Sequence, residues 1–211
     1  YGCDEVLTDQ QVCKAEARMG VPEGGGMTGV IGMLHCGMGP TVALRFDIDA
    51  LPVRECEELD HFPAQEGFRS EHAGYMHACG HDGHITVGLG TAKLLCQMRE
   101  QLHGTIKFIF QPAEEGVRGA RAIVENGHLE DVDFLLAAHM YGGSEQHPCG
   151  ICITAGHGLA TTKLDVDFHG KASHAAAAPE QGNNALLAAA TAVLNLQAIP
   201  RHGKADTRIN V

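Results

Sequence analysis

No stretch of this 211-residue chain approaches the roughly 20 consecutive apolar residues that a helix needs to cross a bilayer. Positive charge is scarce: 15 Lys and Arg stand against 26 Asp and Glu, for a net charge of −11. The basic residues are also scattered, which argues against a nucleic-acid surface. The opening YGCDEVLTDQ lacks the basic-then-apolar order of a secretory signal, as the mature form of a secreted protein also would. Missing too are the G-x-S-x-G nucleophile elbow and the P-loop, and there are no internal repeats or low-complexity segments. What is there is ordinary globular material, 44% hydrophobic and 19% charged, enough for one medium domain or one domain and part of another.

Eight cysteines are many, but the chain is not a short, loop-rich secreted domain of the kind that disulfides staple. Cys3, Cys13, Cys36, Cys56 and Cys96 stand in unrelated settings. The expectation is a cytoplasmic protein with mostly free thiols. Cys149 and Cys152 form a C-x-x-C in CGIC. With no second pair and a β-like run following, a half-buried strand fits them better than a zinc or redox site.

From Met27, two β-like runs flank CGMGP and predict a hairpin. GGGMTG (24–29) matches G-x-G-x-x-G, but it precedes a strand and does not link a strand to a helix, so no dinucleotide site is expected. Ile85, Leu89, Ala92, Leu95, Met98 and Leu102 recur at helical spacing and put the dense MHACGHDGH cluster at a helix N-terminus. GTIKFIFQ reads as a buried strand stopped by Pro112, ARAIVENGHL as a helix with Gly127 near its end, and VDFLLAAHM as another buried strand. Strands alternating with helices predict an α/β layered domain. Beyond Gly156, LATTKLDVDFHG alternates like a half-exposed strand. NNALLAAATAVLNLQAI follows as a helix capped by Asn183 or Asn184, and DTRINV begins a further strand. This later part reads as the start of a second domain.

Polar groups collect at three strand ends: Asp47 and Asp49 in ALRFDID, Glu114 and Glu115 in FIFQPAEE, and His139 in FLLAAH. In open α/β sheets ligands bind beyond the carboxyl ends of strands, where Cys79 to His84 can join them. Thiolate, imidazole and carboxylate together suit Zn²⁺ or Mn²⁺, and an adjacent glutamate pair allows one ligand and one base. Each group also has a plainer reading: Asp47 and Asp49 as solvated turn residues, Glu114–Glu115 as an acidic helix start, His139 as a satisfied buried histidine. A Cys79 nucleophile with a histidine base is a further alternative, but it leaves the carboxylates unused.

The segments ALRFDIDALPVRE, GYMHACGHDGH, FQPAEEGVRGA, AAH and GKASHAAAAPEQGNNALLAA, in this order, resemble the amidohydrolase branch of the dinuclear aminoacylase and glutamate-carboxypeptidase metallopeptidases. That branch includes hippurate hydrolase and the auxin-conjugate hydrolases. RFDIDA, the long insert from Glu55 to Gly74, GVRGARAIV and LATTKLDVDF are similar to the p-aminobenzoyl-glutamate hydrolases within it. The resemblance implies a zinc-peptidase-like catalytic domain over 1–157, with a mixed sheet flanked by helices. It also implies the start of an α+β, ferredoxin-like lid and dimerisation domain over 158–211. It implies two divalent ions (Zn or Mn), held by Cys79 as a bridging thiolate, His81, Glu115 and His139. Glu114 would be the general base for a metal-bound hydroxide that cleaves the amide of an N-acyl amino acid such as p-aminobenzoyl-glutamate. His174 would reach from one protomer's lid into the partner's site to stabilise the oxyanion. Asp49 would support the ligands from behind, and Asn184 would lie near the substrate. His77 and His84 read as structural. The resemblance further implies a fragment of a longer chain, inactive by itself, with one more ligand histidine beyond Val211. A non-catalytic binding or assembly module on a degenerate hydrolase fold is the competing expectation.

Overall fold

The computed structural model describes residues 1–8, 10–13, 28–58, 60–141, 150–151, 153, 160–204 and 207–211. The Cys149/Cys152 pair and Gly24 to Met27 of the glycine run lie outside the described residues. Contacts divide the chain into two units, Tyr1–Gly150 and Ile151–Val211.

The first unit is built on five strands: β1 (Glu5–Thr8), β2 (Val30–His35), β3 (Thr41–Asp47), β4 (Thr105–Gln111) and β5 (Phe134–Ala137). Its helices are α1 (Gln10–Cys13), α2 (Phe62–Gln65), α3 (His81–Gln97) and α4 (Gly119–Glu125), with a 3₁₀ turn at Arg99–Gln101 after α3. The sheet order is β1-β2-β4-β3-β5. β1, β2 and β4 pair antiparallel, while β4, β3 and β5 pair parallel. The sheet is therefore mixed, as the family resemblance implied.

The predicted hairpin does not form. β2 and β3 are never neighbours, because β4 lies between them and pairs Ile109 with Ile31 and Phe108 with Leu44. β4 carries apolar side chains on both faces, so a central position buries more of it than an edge would. The link 36–40 crosses over the start of β4, where Cys36 N–H donates to Gly104 O and Thr105 N–H donates to Pro40 O. Two glycines permit that crossing. A Cβ on Gly39 would lie 2.7 Å from Gly104 N, and one on Gly104 would lie 2.1 Å from Pro40 O.

Period-two alternation sends side chains to two layers. Ile31, Ala43 and Ile109 pack with Val12 of α1 and Ile123 of α4 on one face. Leu34, Phe46, Ile106 and Phe108 pack with Ala92 of α3 on the other. Gly88 makes the second contact close, for a Cβ there would sit 2.7 Å from Phe110 and 2.8 Å from Phe46. β5 forms where a buried strand was predicted, but Phe134, Leu135 and Leu136 are each more than half exposed. Among the described residues it pairs only with β3, at the edge of the sheet, and the helices cover the middle, α3 over β3 and β4 and α4 over β4.

In the second unit α5 (Ala185–Gln197) begins at Asn184, whose Oδ1 accepts from Leu187 N–H at 3.1 Å, an N-cap that satisfies one free helix donor. LATTKLDVDFHG does not form the predicted strand in its described residues, nor do 207–211. Alternation marks a segment as amphipathic, but a strand also needs a ladder partner. The described second unit supplies only a single bridge, Lys171 to Asn183. A ferredoxin-like lid is not evident in it.

Candidate metal centre

Because β3, β4 and β5 run parallel, their carboxyl ends fall at one edge of the sheet. β3 brings Asp47 there and pairing continues one residue beyond it, Ile48 N–H to Gln111 O, before Asp49. β4 ends at Gln111 and Pro112, and Glu114 and Glu115 follow in a tight loop. β5 leads to His139. The first turn of α3 faces this edge, entered through Gly80, whose φ of 124° is a conformation that side chains resist.

His81 is 1% exposed. Its Nδ1–H donates to the Asp49 carbonyl at 2.9 Å, which leaves a lone pair on Nε2. That Nε2 is buried without a hydrogen-bond partner, 3.8 Å from Asp47 Oδ2 and 3.9 Å from Glu114 Oε2. A buried acceptor facing carboxylates has nothing to accept from, whereas a cation would satisfy all of them. His139 is arranged alike. Its Nδ1–H donates to Met140 O at 2.7 Å, and its Nε2 faces Cys79 Sγ at 3.5 Å.

Candidate ligand atoms lie within 4.8 Å of one another in two groups that share His81. One group is Cys79, His81 and Glu115, and the other is Asp47, His81, His84 and His139. The second overstates the free donors. His84 Nδ1–H donates to Asp47 Oδ1, and His84 Nε2 accepts the Met140 N–H at 2.7 Å. Both ring nitrogens are thus spent on the protein, in keeping with a structural His84. Asp47 is likewise tied, to His84 and to Arg45 Nη1 at 2.8 Å. Burial opposes its ionisation, but the His84 hydrogen bond and the charges of Arg45 and His81 outweigh that and hold its carboxyl below the usual range. The set suits a thiophilic, imidazole-binding divalent ion such as zinc, and tolerates manganese.

Burial pushes the Cys79 thiol up, and the neighbouring Glu115, Glu114 and Asp47 carboxylates push it further. A bound dication would reverse that balance. The cysteine-hydrolase alternative would leave the orphaned His81 Nε2 beside Glu114 without a role.

Asp49 spans the two sides of the centre: its carbonyl holds His81, and its Oδ2 accepts the Glu115 N–H at 3.0 Å. The glutamate loop is bent sharply, with Ala113 at φ 53° and Val117 at φ 56°. Val117 N–H donates to Glu114 O at 2.7 Å, and Arg118 and Gly119 N–H both donate to Ala113 O. These two strained positions bracket Glu114 and Glu115, and nothing in the sequence PAEEGVRG announces them. His174 and Asn184 belong to the second unit. His174 Nδ1 accepts from Ala176 and Ala177 N–H at 3.1 and 3.0 Å, which leaves the ring proton on Nε2. Asn184 is occupied as the cap of α5. His77 joins neither ligand group, although its Nδ1 is buried without a partner.

Residues 43–208 match the model of peptidase family M20/M25/M40. The chain is 50% identical over 189 residues to a p-aminobenzoyl-glutamate hydrolase polypeptide of Escherichia coli (strain K12), covering 89% of this chain and 43% of that protein. It is 49% identical over 189 residues to indole-3-acetyl-aspartic acid hydrolase of Enterobacter agglomerans, again 89% of this chain and 43% of that one. Among solved structures, the Bacillus subtilis YXEP protein, described as a dinuclear metal binding peptidase from the same family, matches with a TM-score of 0.51 at 41% identity. That match covers 64% of this chain and 32% of the other. The chain spans less than half the length of these curated relatives. A family model over most of its residues, and relatives that share half of them, place the chain in peptidase family M20/M25/M40.

Proposed function

We propose that this chain carries the metal centre of an amidohydrolase that cleaves an N-acyl amino acid of the p-aminobenzoyl-glutamate kind. The observation that carries the reading is the buried, partnerless Nε2 of His81, set between carboxylates and beside Cys79. Cys79, His81, Glu115 and His139 would hold two divalent ions, zinc or manganese. When bound, such ions polarise the amide carbonyl and acidify a water. Glu114, whose carboxylate stands 3.9 Å from the His81 ring, takes the proton of the attacking water and returns it to the leaving amine. Asp49 keeps His81 in the tautomer that presents Nε2 and steadies the Glu115 backbone. His174, with its proton on Nε2, is a suitable donor to a developing oxyanion, reaching the site from the second unit of the partner protomer in a dimer. Asn184 lies near the substrate with its amide nitrogen, since its oxygen caps α5.

On this reading residues 1–157 are the catalytic part and 158–211 begin a lid and dimerisation part. The relatives named for p-aminobenzoyl-glutamate and indole-3-acetyl-aspartate support an acyl group on an acidic amino acid as the substrate class. A reducing, cytoplasmic setting belongs to the same reading, from the unrelated settings of Cys3, Cys13, Cys36, Cys56 and Cys96 along the sequence.

Elemental analysis of extensively dialysed protein tests the proposal. The parent chain and Glu114→Gln should each retain about two divalent ions, and Cys79→Ser should lose them. In the full-length protein, Glu114→Gln should slow release of p-aminobenzoate by roughly 10²- to 10⁴-fold. Metal-free full-length protein, or a fully active full-length Glu114→Gln, would sink the mechanism.

A further inference from the structure

At the ends of the strands remote from the metal centre, a second group of sulfurs collects. Cys3, Cys36 and Cys96 all pack against the core cluster of Leu34 and Phe108. Cys96 lies in the last turn of α3 and Cys79 just before its first, about 25 Å apart along the helix at 1.5 Å per residue. Cys3 is seated in a niche left by Gly32, where an added Cβ would lie 3.0 Å from its Sγ. The residue before it, Gly2, approaches Cys96 so closely that a Cβ there would meet Cys96 Cβ at 3.2 Å and Sγ at 3.6 Å. Burial is the main cause that raises the Cys3 thiol above its ordinary range, and the nearby Cys96 thiol raises it further.

The flanking contacts hold these segments in register. Asp4 N–H donates to Met33 O at 2.8 Å, Asp4 Oδ2 accepts the His35 N–H at 2.8 Å, and Asp4 Oδ1 binds Arg99 at 2.5 Å, three residues beyond Cys96. The N-terminal segment is thereby pinned to both β2 and the end of α3.

We propose that Cys3 and Cys96 are a dithiol site, closed to a disulfide by exchange with a low-molecular-weight disulfide, which staples the start of β1 to the last turn of α3. One protein thiolate attacks a sulfur of the small disulfide and expels one small thiol, leaving a mixed disulfide. The second protein thiolate then attacks the protein-side sulfur and expels the other small thiol. The protein loses two hydrogens and the small disulfide is reduced to two thiols, so atoms and electrons balance. Nearness of the second thiol makes the mixed disulfide short-lived. Gly32 is essential to the niche, and the Asp4–Arg99 pair limits how far the sulfurs can part.

The test is incubation of the reduced chain with oxidised glutathione, then alkylation of free thiols and sequencing of the peptides by mass spectrometry. A Cys3–Cys96 bond is expected in the parent, without lasting glutathione on either residue and reversible by dithiothreitol. In Cys3→Ser, Cys96 should instead keep a glutathione adduct. Glutathione persisting on Cys3 or Cys96 of the parent, or a Cys36–Cys96 bond in preference, would overturn the proposal. Adducts on the exposed Cys56 and Cys79 do not enter this readout.

Discussion

His84 ties three parts of the centre together without offering a lone pair to a metal. It donates to the buried Asp47 and accepts from Met140, the residue after His139. His84→Ala is expected to cost about 2–4 kcal/mol, since the buried Asp47 carboxylate loses one of its two partners and the Met140 N–H loses its acceptor. It should also weaken metal retention, because the backbone behind His139 is freed. Denaturant titration and elemental analysis would check both effects. Val117 is a different case. A β-branched residue at φ 56° carries strain of roughly 1–2 kcal/mol. Glycine would remove that strain, at an entropic cost of about 0.5–1 kcal/mol in the unfolded chain. Val117→Gly should therefore unfold at the same or higher denaturant concentration while retaining less metal, as Glu114 and Glu115 gain freedom. A clear loss of stability would show that the bend is not strained. The nearness of Cys79, His81, Glu115 and His139 was legible because strand ends and a helix start are local signals. The bend at Ala113 and Val117 was not, because PAEEGVRG places no glycine at either position.

At the scale of elements, α3 decides how closely a helix can approach the sheet. Gly88 lies in mid-helix, where alanine would ordinarily gain about 1 kcal/mol in propensity. Its absent side chain is also what lets Phe46 and Phe110 come within 3 Å of the Cβ position. Those rings stack on each other with centroids 5.4 Å apart and have little room to withdraw. Overpacking of about 1–3 kcal/mol should outweigh the propensity gain, so Gly88→Ala should lower the melting temperature. α3 itself was readable from its 3.6-residue period, and α5 from its cap and apolar content. Pairing partners were not. CGMGP looked like a hairpin turn because a turn signal records that the chain bends, not what passes beneath the bend. The alternation of LATTKLDVDFHG likewise records two unlike faces and leaves open what they meet.

Over the whole first unit, one long-range charge contact yields a pH prediction. Lys107, 4% exposed in the middle of β4, donates to His128 O at 2.8 Å and to Asp131. The hydrogen bond from Lys107 holds the Asp131 carboxyl below its ordinary range, against the effect of burial. A carboxyl whose folded pKa is depressed contributes stability above its unfolded value, near 3.9, and loses it as pH falls through the folded one. Asp131→Asn should therefore be less stable than the parent at neutral pH, and the gap should narrow below about pH 4. Urea midpoints measured across that range would reveal it, and a gap independent of pH would contradict it. Asp131 is itself largely exposed, so solvent screens the pair and the effect is modest.

The position of β4 also has a consequence in time. β2 and β3 are separated by only five residues, yet each finds its ladder in a strand that starts some sixty residues after β3 ends. Until Thr105–Gln111 has left the ribosome, neither can complete its hydrogen bonds, and the central sheet cannot close from its N-terminal side. Such non-local pairing delays the folding barrier crossing and leaves apolar strand edges waiting for a partner. A nascent chain that stalls before Gln111 is thus the form of this protein most prone to sticking to its own kind.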